Sequence, residues 1–362
     1  MDERSYFKSI LEQLILDPKG FTPENVANGL HSIMHGEASD AQIGGFLTAL
    51  TLRGVDKDPH MIASLAAEAN KHALRPVIET NEKGREQFSM IVETVGTGGD
   101  GWNTFNISTT SSLVAAAAGL QVAKHGSKAS SSNCGSADLL ESFGCDLGMV
   151  SPSDVAKLLN EYRFCLLLFS KFHPLLRHLV KIRHELGFPT PLNVLGPLIN
   201  PIVPDRAVIG VHSKPLGPVI AEALKILGRR NYAVVCGDED LDEISIAGNT
   251  HVWHIQADGE IKSYMIHPND FEVPLHSLSE AAGLTLKENK AILRRLINNN
   301  LEARDKPIRD FVLINTGFLL YISGLATSMK EGADIAHETL KSGKVQVLLE
   351  GFAKAIQETK GA

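Results

Sequence analysis

The sequence predicts an α/β protein with a small helical N-terminal domain and a larger domain built on a largely parallel central sheet. Three observations predict it. Up to residue 78, apolar residues recur at helical spacing and no strand-like run interrupts them. From residue 88 onward, short β-branched runs alternate with helical segments. Several of those runs end in glycine-rich or acidic loops, as strands do when they share one ligand-binding edge of a parallel sheet.

The chain has 362 residues, enough for about two domains. With 43% hydrophobic and 21% charged residues it can bury a sizeable core. A net charge of -7 argues against a general nucleic-acid binder, which needs a basic face for phosphates. Cys134, Cys145, Cys165 and Cys236 have no CxxC spacing, so neither a zinc site nor a disulfide framework is expected. The opening "MDERSYFKSILEQLILD" has early acids and no long apolar run, unlike a secretory or transit segment. No stretch approaches the roughly 20 apolar residues of a membrane span. A cytoplasmic protein is expected.

In the helical part, Phe7, Ile10, Leu11, Leu14 and Ile15 form the first apolar stripe. "FTPENVANGLHSIMHG" offers Thr22 as N-cap, Pro23 in the first turn and Gly36 as terminator. "SDAQIGGFLTALTLRG" opens with a Ser39–Gln42 capping box and closes at Gly54. Met61, Ile62, Leu65 and Ala69 mark a fourth helix, completing a small bundle over residues 1–78. The polar "ETNEKGREQ" (79–87) reads as a linker.

The α/β part takes residues 88–172 and 196–362. "MIVETV", "QVAKHG", "FCLLLF", "RAVIGVH" and "YAVVCG" read as strands. "SSLVAAAAGL", starting near Thr109 or Thr110, "SADLLESFG" and "GPVIAEALKILG" read as helices. "HVWHIQADGEIKSYMI" reads as a hairpin turning at Asp258-Gly259, and two or more amphipathic helices close the chain. One segment breaks the scheme. "HPLLRHLVKIRHELG" reads as a helix between two strands, followed by the proline-rich "FPTPLNVLGPLINPIVP". Residues 173–195 are therefore expected to leave the sheet as a lid or hinge. Their periodicity permits a return to the helical bundle.

Four stretches can carry chemistry. "VGTGGDGWNTFNIST" (95–109) sets Gly96, Gly98 and Gly99 after a strand and Asn106, Ser108 and Thr109 where a helix begins. Glycines turn several N–H groups toward one point, and a helix start adds its own. That favours an anion site over a plain capped turn. The spacing is neither GxGxxG nor GxxxxGK[ST]. "KHGSKASSSNCGSADLLESFG" (124–144) brings Lys124, Lys128 and a serine run to the next strand end, facing the first loop across a crevice. His125 has no assigned acid or nucleophile and reads as structural. "GDEDLDEIS" (237–245) places acids after an apolar strand, where carboxylates suit Mg²⁺ beside phosphates. Spacing alone does not separate Asp242 and Glu243 from Asp238, Glu239 and Asp240. Arg183 offers a carboxylate-binding fork, but by spacing it stands level with Arg177 and Lys181.

Together these segments resemble the anthranilate phosphoribosyltransferases. "GTGGDGWNTFNIST" is similar to the family's diphosphate loop and "KHGSKASSSNCGSADLLESFG" to its second loop. "HPLLRHLVKIRHELGFPTPLNVLGPLINP" is similar to its anthranilate-side segment and "LDEIS" to its metal motif. The likeness runs in order through "VLINTGFLLYISGLA", and the second loop and "NTHVWHI" resemble the fungal branch. It implies Mg²⁺-dependent transfer of a phosphoribosyl group from phosphoribosyl diphosphate to the amine of anthranilate. The implied fold is the one shared with nucleoside phosphorylases, dimeric through the helical domain, with no nucleic-acid or membrane partner.

The resemblance also implies residue roles. Gly96, Gly99, Asp100, Thr104, Asn106, Ile107, Ser108 and Thr109 would meet phosphoribosyl diphosphate. Lys124, Ser130, Ser131, Ser132 and Ser136 would complete that site. Ser108, Asp242 and Glu243 would hold metal. Gly96, Ser127 and Arg183 would meet anthranilate, with Arg183 on its carboxylate. Ser127 and Lys128 replace the family's usual Asn and Arg. Ser127 is shorter, so a water would fill the gap, and Lys128 keeps the charge without the fork. Asp100 belongs either to the metal shell or to the loop's own hydrogen bonds.

No acid–base pair is expected to be catalytic. An aromatic amine is already a free base at neutral pH, so positioning and electrostatics suffice. Two other readings exist: a related nucleoside phosphorylase, disfavoured by the full glycine loop with its acids, and a non-catalytic nucleic-acid-binding relative, disfavoured by the acidic charge.

Overall fold

The computed structural model describes residues 3–78, 88, 90–129 and 134–358. The expected linker, 79–87, lies outside them. Helices α1 (Glu3–Leu16), α2 (Pro23–Met34), α3 (Asp40–Leu52) and α4 (Pro59–Lys71) form the N-terminal bundle. Their starts follow the expected chemistry. Thr22 and Ser39 close capping boxes with Asn25 and Gln42, and Asp58 caps α4 through the N–H groups of His60 and Met61.

Seven strands follow: β1 (Ile91–Gly96), β2 (Gln121–Gly126), β3 (Phe164–Leu168), β4 (Arg206–Gly210), β5 (Tyr232–Gly237), β6 (Thr250–Ile255) and β7 (Ile261–Ile266). Their spatial order is β3-β2-β1-β4-β5-β6-β7. The first five run parallel, while β6 and β7 form an antiparallel hairpin on the β5 edge. The parallel strands therefore end along one edge, and that edge carries the glycine, serine and acidic loops.

Crossover helices α5 (Ile107–Ala117), α6 (Ser136–Ser142), α7 (Asp154–Tyr162), α8 (Phe169–Phe172), α9 (Leu179–Leu186) and α10 (Leu216–Ile226) connect the strands. Helices α11 (Leu286–Ile297), α12 (Lys306–Ser323), α13 (Met329–Lys341) and α14 (Lys344–Glu358) close the chain. Successive side chains of a strand face opposite ways, and the two cores divide accordingly. Val208, Ala233 and Val235 face a core shared with α5, α12 and α14. Ala207, Ile209, Tyr232 and Val234 face a second core, shared with α10 and the N-terminal bundle. Among the described residues, no helix is long and apolar enough to cross a membrane.

Two expectations need correction. Helix α5 begins at Ile107, ahead of Thr109, and Asn106 at its N-cap position makes no side-chain cap bond. The single helix expected over 173–187 is a 3₁₀ turn, Pro174–Leu176, followed by α9. The break has a physical cause: the His173 ring is buried and bonds the carbonyl of Ile199 at 2.7 Å, and Pro174 follows it. Leu176, Leu179, Ile182 and Leu192 then join the core of the N-terminal bundle, with α9 packed on α3.

Candidate active site

The acidic loop after β5 is set by a buried helix. Asn315 of α12 accepts the N–H of Ile244 at 3.0 Å and donates to its carbonyl at 3.1 Å. This fixes Asp242 and Glu243 toward the sheet edge and separates the two acid groups that spacing left together. Asp238 faces away, bonded to Lys214 at 3.2 Å and His251 at 3.0 Å.

Asp242 and Glu243 are tied to the first loop by its backbone. Gly98 donates its N–H to Asp242 Oδ2 at 2.6 Å, and Ser108, in the first turn of α5, donates to Glu243 Oε1 at 3.1 Å. Gly98 and Gly99 adopt φ of 70° and 87°, which only glycine does without strain. The approach also needs bare backbone on the two neighbouring strands. A Cβ on Gly96 would stand 2.3 Å from Asp242 Oδ2, and one on Gly210 only 1.6 Å from the Asp242 carbonyl oxygen. Trp102 closes the junction by donating its indole N–H to the carbonyl of Glu239 at 2.8 Å.

Acidic groups crowd this corner, and burial holds them toward their protonated forms. Burial and the neighbouring Asp100 push the Asp242 carboxyl up to about 7. Burial and Asp242 hold Glu243 well above the usual carboxylate range. Lys124 lies beneath them, 2% exposed, donating to the carbonyl of Thr94 at 2.8 Å and to Ser108 Oγ at 3.2 Å. Its own burial lowers its pKa against the pull of Glu93, Glu243 and Asp242. A cluster of carboxylates and a hydroxyl, with one buried ammonium against it, suits a hard divalent cation with oxygen ligands. Asp100 accepts the N–H of Trp102 at 3.1 Å within its own loop, and its charge acts on the Asp242 carboxyl.

The remaining first-loop residues divide by exposure. Ile107 and Thr109 are each 1% exposed, and the N–H of Ile107 donates to the carbonyl of Phe105 at 2.6 Å. Thr104 makes an isolated antiparallel bridge with Ala282. Asn106 reaches across to the second loop, donating to the carbonyl of Cys134 at 2.8 Å.

In the second loop, Ser136 Oγ accepts the N–H of Ser127 at 3.2 Å, and Asp138 accepts the N–H groups of Ala129 and Gly135 at 2.7 and 2.9 Å. Ser127 is exposed at the loop's surface. Lys128 turns outward to Glu141 at 2.9 Å, so its charge serves that pair. Ser130, Ser131 and Ser132 lie outside the described residues.

The segment after β3 is held to the end of β2. His125 Nδ1 meets the carbonyl of Gly196 at 3.0 Å, and its ring centroid lies 5.2 Å from that of His173. Burial drives both rings to low pKa, about 3 for His125 and about 4 for His173. Both are neutral at physiological pH. Arg183 lies further along, on α9. Its buried Nε has no hydrogen-bond partner among the described residues, and burial lowers its pKa. No hydrogen bond or ion pair among the described residues joins it to either loop.

Sequence reasoning missed a supporting layer. Glu93 on β1 is 1% exposed and accepts the N–H of His125 at 2.7 Å. Burial raises it to about 7 against hydrogen bonds from Asn200 and His125. Asn200 also donates to the carbonyl of Ala123 at 2.9 Å. A charged residue inside the apolar run "MIVETV" was the one available signal.

Known proteins share this architecture. Residues 8–73 match the helical bundle domain of the glycosyl transferase family, and residues 89–346 match its a/b domain. The anthranilate phosphoribosyltransferase of Schizosaccharomyces pombe is 42% identical over 335 residues, spanning 92% of this chain and 93% of the relative. The Saccharomyces cerevisiae enzyme of that name, in complex with PRPP and Mg, superposes with a TM-score of 0.88 at 33% identity, over 98% of each chain. The same yeast enzyme in complex with 4-fluoroanthranilate gives 0.87 at 31% identity, again over 98% of each chain.

Proposed function

The chain belongs to the anthranilate phosphoribosyltransferase family, and from that premise we propose that it transfers the phosphoribosyl group of phosphoribosyl diphosphate to the amine of anthranilate. The products are N-(5-phosphoribosyl)anthranilate and diphosphate, the second step of tryptophan synthesis from chorismate. The observation that carries this reading is the fastening of the glycine loop to the acids. Gly98 and Ser108 donate their N–H groups to Asp242 and Glu243, with Lys124 beside them. Anion-binding backbone and cation-binding carboxylates are thereby built as one unit.

Ser108, Asp242 and Glu243 would hold Mg²⁺, with Asp100 beside Asp242; their crowded oxygen donors, whose mutual repulsion a cation would relieve, fit that ion. When bound, the ion neutralises charge growing on the leaving diphosphate. The chain's own groups do the rest. The N–H groups at Gly96, Gly99 and Thr109 bind the diphosphate oxygens, helped by the dipole of α5. Thr104 and Asn106 hold the loop in place. Lys124 fixes the Ser108 hydroxyl. Ser136, with Ser130, Ser131 and Ser132, contacts the phosphoribosyl group. Arg183 brings a guanidinium without a hydrogen-bond partner among the described residues to the anthranilate carboxylate, and Gly96 and Ser127 flank its ring. The amine attacks C1 of the ribose as diphosphate departs, and no side chain need remove a proton first.

We read the helical domain as 1–78 with 173–195 returning to it, on the support of their shared core. It would meet a second copy of the chain in a homodimer. Exposed Ile15, Leu16 and Leu52 support this, because Arg53 bonds the carbonyl of Ile15 at 2.9 Å and so joins the ends of α1 and α3. The protein would act in the cytoplasm.

Anthranilate fluorescence tests the proposal. It should decay when phosphoribosyl diphosphate and Mg²⁺ are both supplied, and persist if either is withheld. Persistence in the complete mixture would overturn the reading.

A further inference from the structure

The N-terminal bundle carries a histidine cluster that shares no residue with the acidic crevice. His31 lies in the last turn of α2, and His35 is the C-cap of that helix. His72 is the C-cap of α4. One ligand nitrogen from each ring lies within 4.8 Å of those of the other two. The ring centroids are 5.4 Å apart for His31 and His72 and 5.1 Å for His35 and His72, while His31 and His35 stack at 4.1 Å with planes 27° apart, so the exposed His35 ring would turn to share an ion. We propose that His31, His35 and His72 form a binding site for a divalent late transition-metal ion of the Zn²⁺ class, clamping α2 to α4.

The hydrogen bonds around the rings favour this. His31 Nδ1 meets Glu68 Oε1 at 2.9 Å, and His72 Nε2 meets the same oxygen at 3.2 Å. His35 Nδ1 meets the carbonyl of His31 at 2.9 Å. Each ring thus gives one nitrogen to a carboxylate or carbonyl acceptor, which sets the proton there. The lone pair is left on the other nitrogen: Nε2 of His31, Nε2 of His35 and Nδ1 of His72. Metal-bound histidines are held the same way, the second nitrogen donating to a carboxylate or a backbone carbonyl. Glu68 is 5% exposed, and its other oxygen takes Lys71 at 2.7 Å. Burial pushes its pKa up, but bonds from Lys71, His31 and His72 outweigh that and keep it ionised.

Two further features suit a cation. His31 and His35 are four residues apart, the spacing that puts two imidazoles on one helical face. The C-termini of α2 and α4 meet at the cluster, and both helix dipoles present their negative ends there. Three imidazoles with no thiolate or further carboxylate select Zn²⁺, Ni²⁺ or Cu²⁺ over Mg²⁺, which prefers oxygen. The site therefore differs in preference from the acidic crevice. All four cysteines are buried, so they do not compete for the ion.

Zn²⁺ titration of the full-length protein against a chelating indicator, in excess Mg²⁺ to occupy the acids, tests the site. One equivalent should bind at micromolar or tighter affinity and raise the melting temperature. His35→Ala should weaken that binding by at least about tenfold and abolish the thermal shift. The His35 side chain is exposed, so the variant should keep the metal-free melting temperature. His72→Ala should act likewise from the other helix, and His60→Ala, on the far end of α4, should change nothing. Absence of saturable Zn²⁺ binding, or undiminished binding in His35→Ala, would overturn the site.

Discussion

The backbone N–H of Gly98 donates to Oδ2 of Asp242 at 2.6 Å, across 144 residues of sequence. This bond makes the glycine loop and the acidic loop one object, so that a change in either loop is felt in both. Asp242 does not need its charge to accept the bond, but it needs its charge to hold a cation.

That charge makes stability depend on pH. The Asp242 carboxyl is raised from 3.8 to about 7, by burial first and Asp100 second. Its protonated form is the one the metal-free native state favours. Its contribution to stability is therefore complete below its ordinary pKa and is lost as pH rises through 7. Asp242→Asn keeps an acceptor for Gly98 and removes the loss. The metal-free variant should be more stable than the parent at pH 8 and little changed at pH 4. Urea unfolding at the two pH values measures this; an equal difference at both would refute it.

The same titration governs metal use. Mg²⁺ competes with protons for Asp242, so the Mg²⁺ concentration for half-maximal rate should fall as pH rises from 6 to 8. Asp242→Ala combined with Glu243→Ala should raise the Mg²⁺ requirement and cut turnover by about a hundredfold or more. Unchanged Mg²⁺ dependence in the double variant would remove these acids from the metal site.

Gly210 tests the close approach itself. A Cβ there would stand 1.6 Å from the Asp242 carbonyl oxygen, and a backbone atom cannot rotate aside. Gly210→Ala should destabilise the protein by about 2–3 kcal/mol and displace the acidic loop. The loss of turnover should exceed what the unfolded fraction explains. Near-normal kinetics in the folded variant would show that the loop position matters little.

Arg183 separates binding from folding. Its buried Nε has no protein partner among the described residues, so the native state gains little from the guanidinium. Arg183→Ala should leave the melting temperature within a few degrees of the parent. It should raise KM for anthranilate at least about tenfold, leaving KM for phosphoribosyl diphosphate nearly unchanged. A defect confined to the phosphoribosyl donor would contradict its assignment.

Much of the site is legible in the sequence because its parts are local. Glycine runs after β-branched runs mark strand ends, and "QVAKHG" coincides with β2 from Gln121 to Gly126. The illegible parts depend on distant partners. The α5 boundary is hidden because Asn106 spends its side chain on Cys134, leaving its own helix uncapped. The break before α9 comes from the bond of His173 to Ile199, 26 residues on. Helix α7 is short and lies between a serine-rich turn and a buried strand, and the sequence reading does not register it. Glu93, Asn200 and Asn315 support the site from inside the core, and only tertiary packing brings them there. The closeness of Asp100 to Asp242, which raises the Asp242 carboxyl, is likewise a tertiary feature.

The most direct test of the central claim is product stoichiometry. With phosphoribosyl diphosphate, anthranilate and Mg²⁺, the protein should release one diphosphate for each anthranilate consumed. A product with the mass of N-(5-phosphoribosyl)anthranilate should accumulate in step. Diphosphate release without anthranilate consumption, or phosphate-dependent cleavage of a nucleoside in its place, would contradict the account.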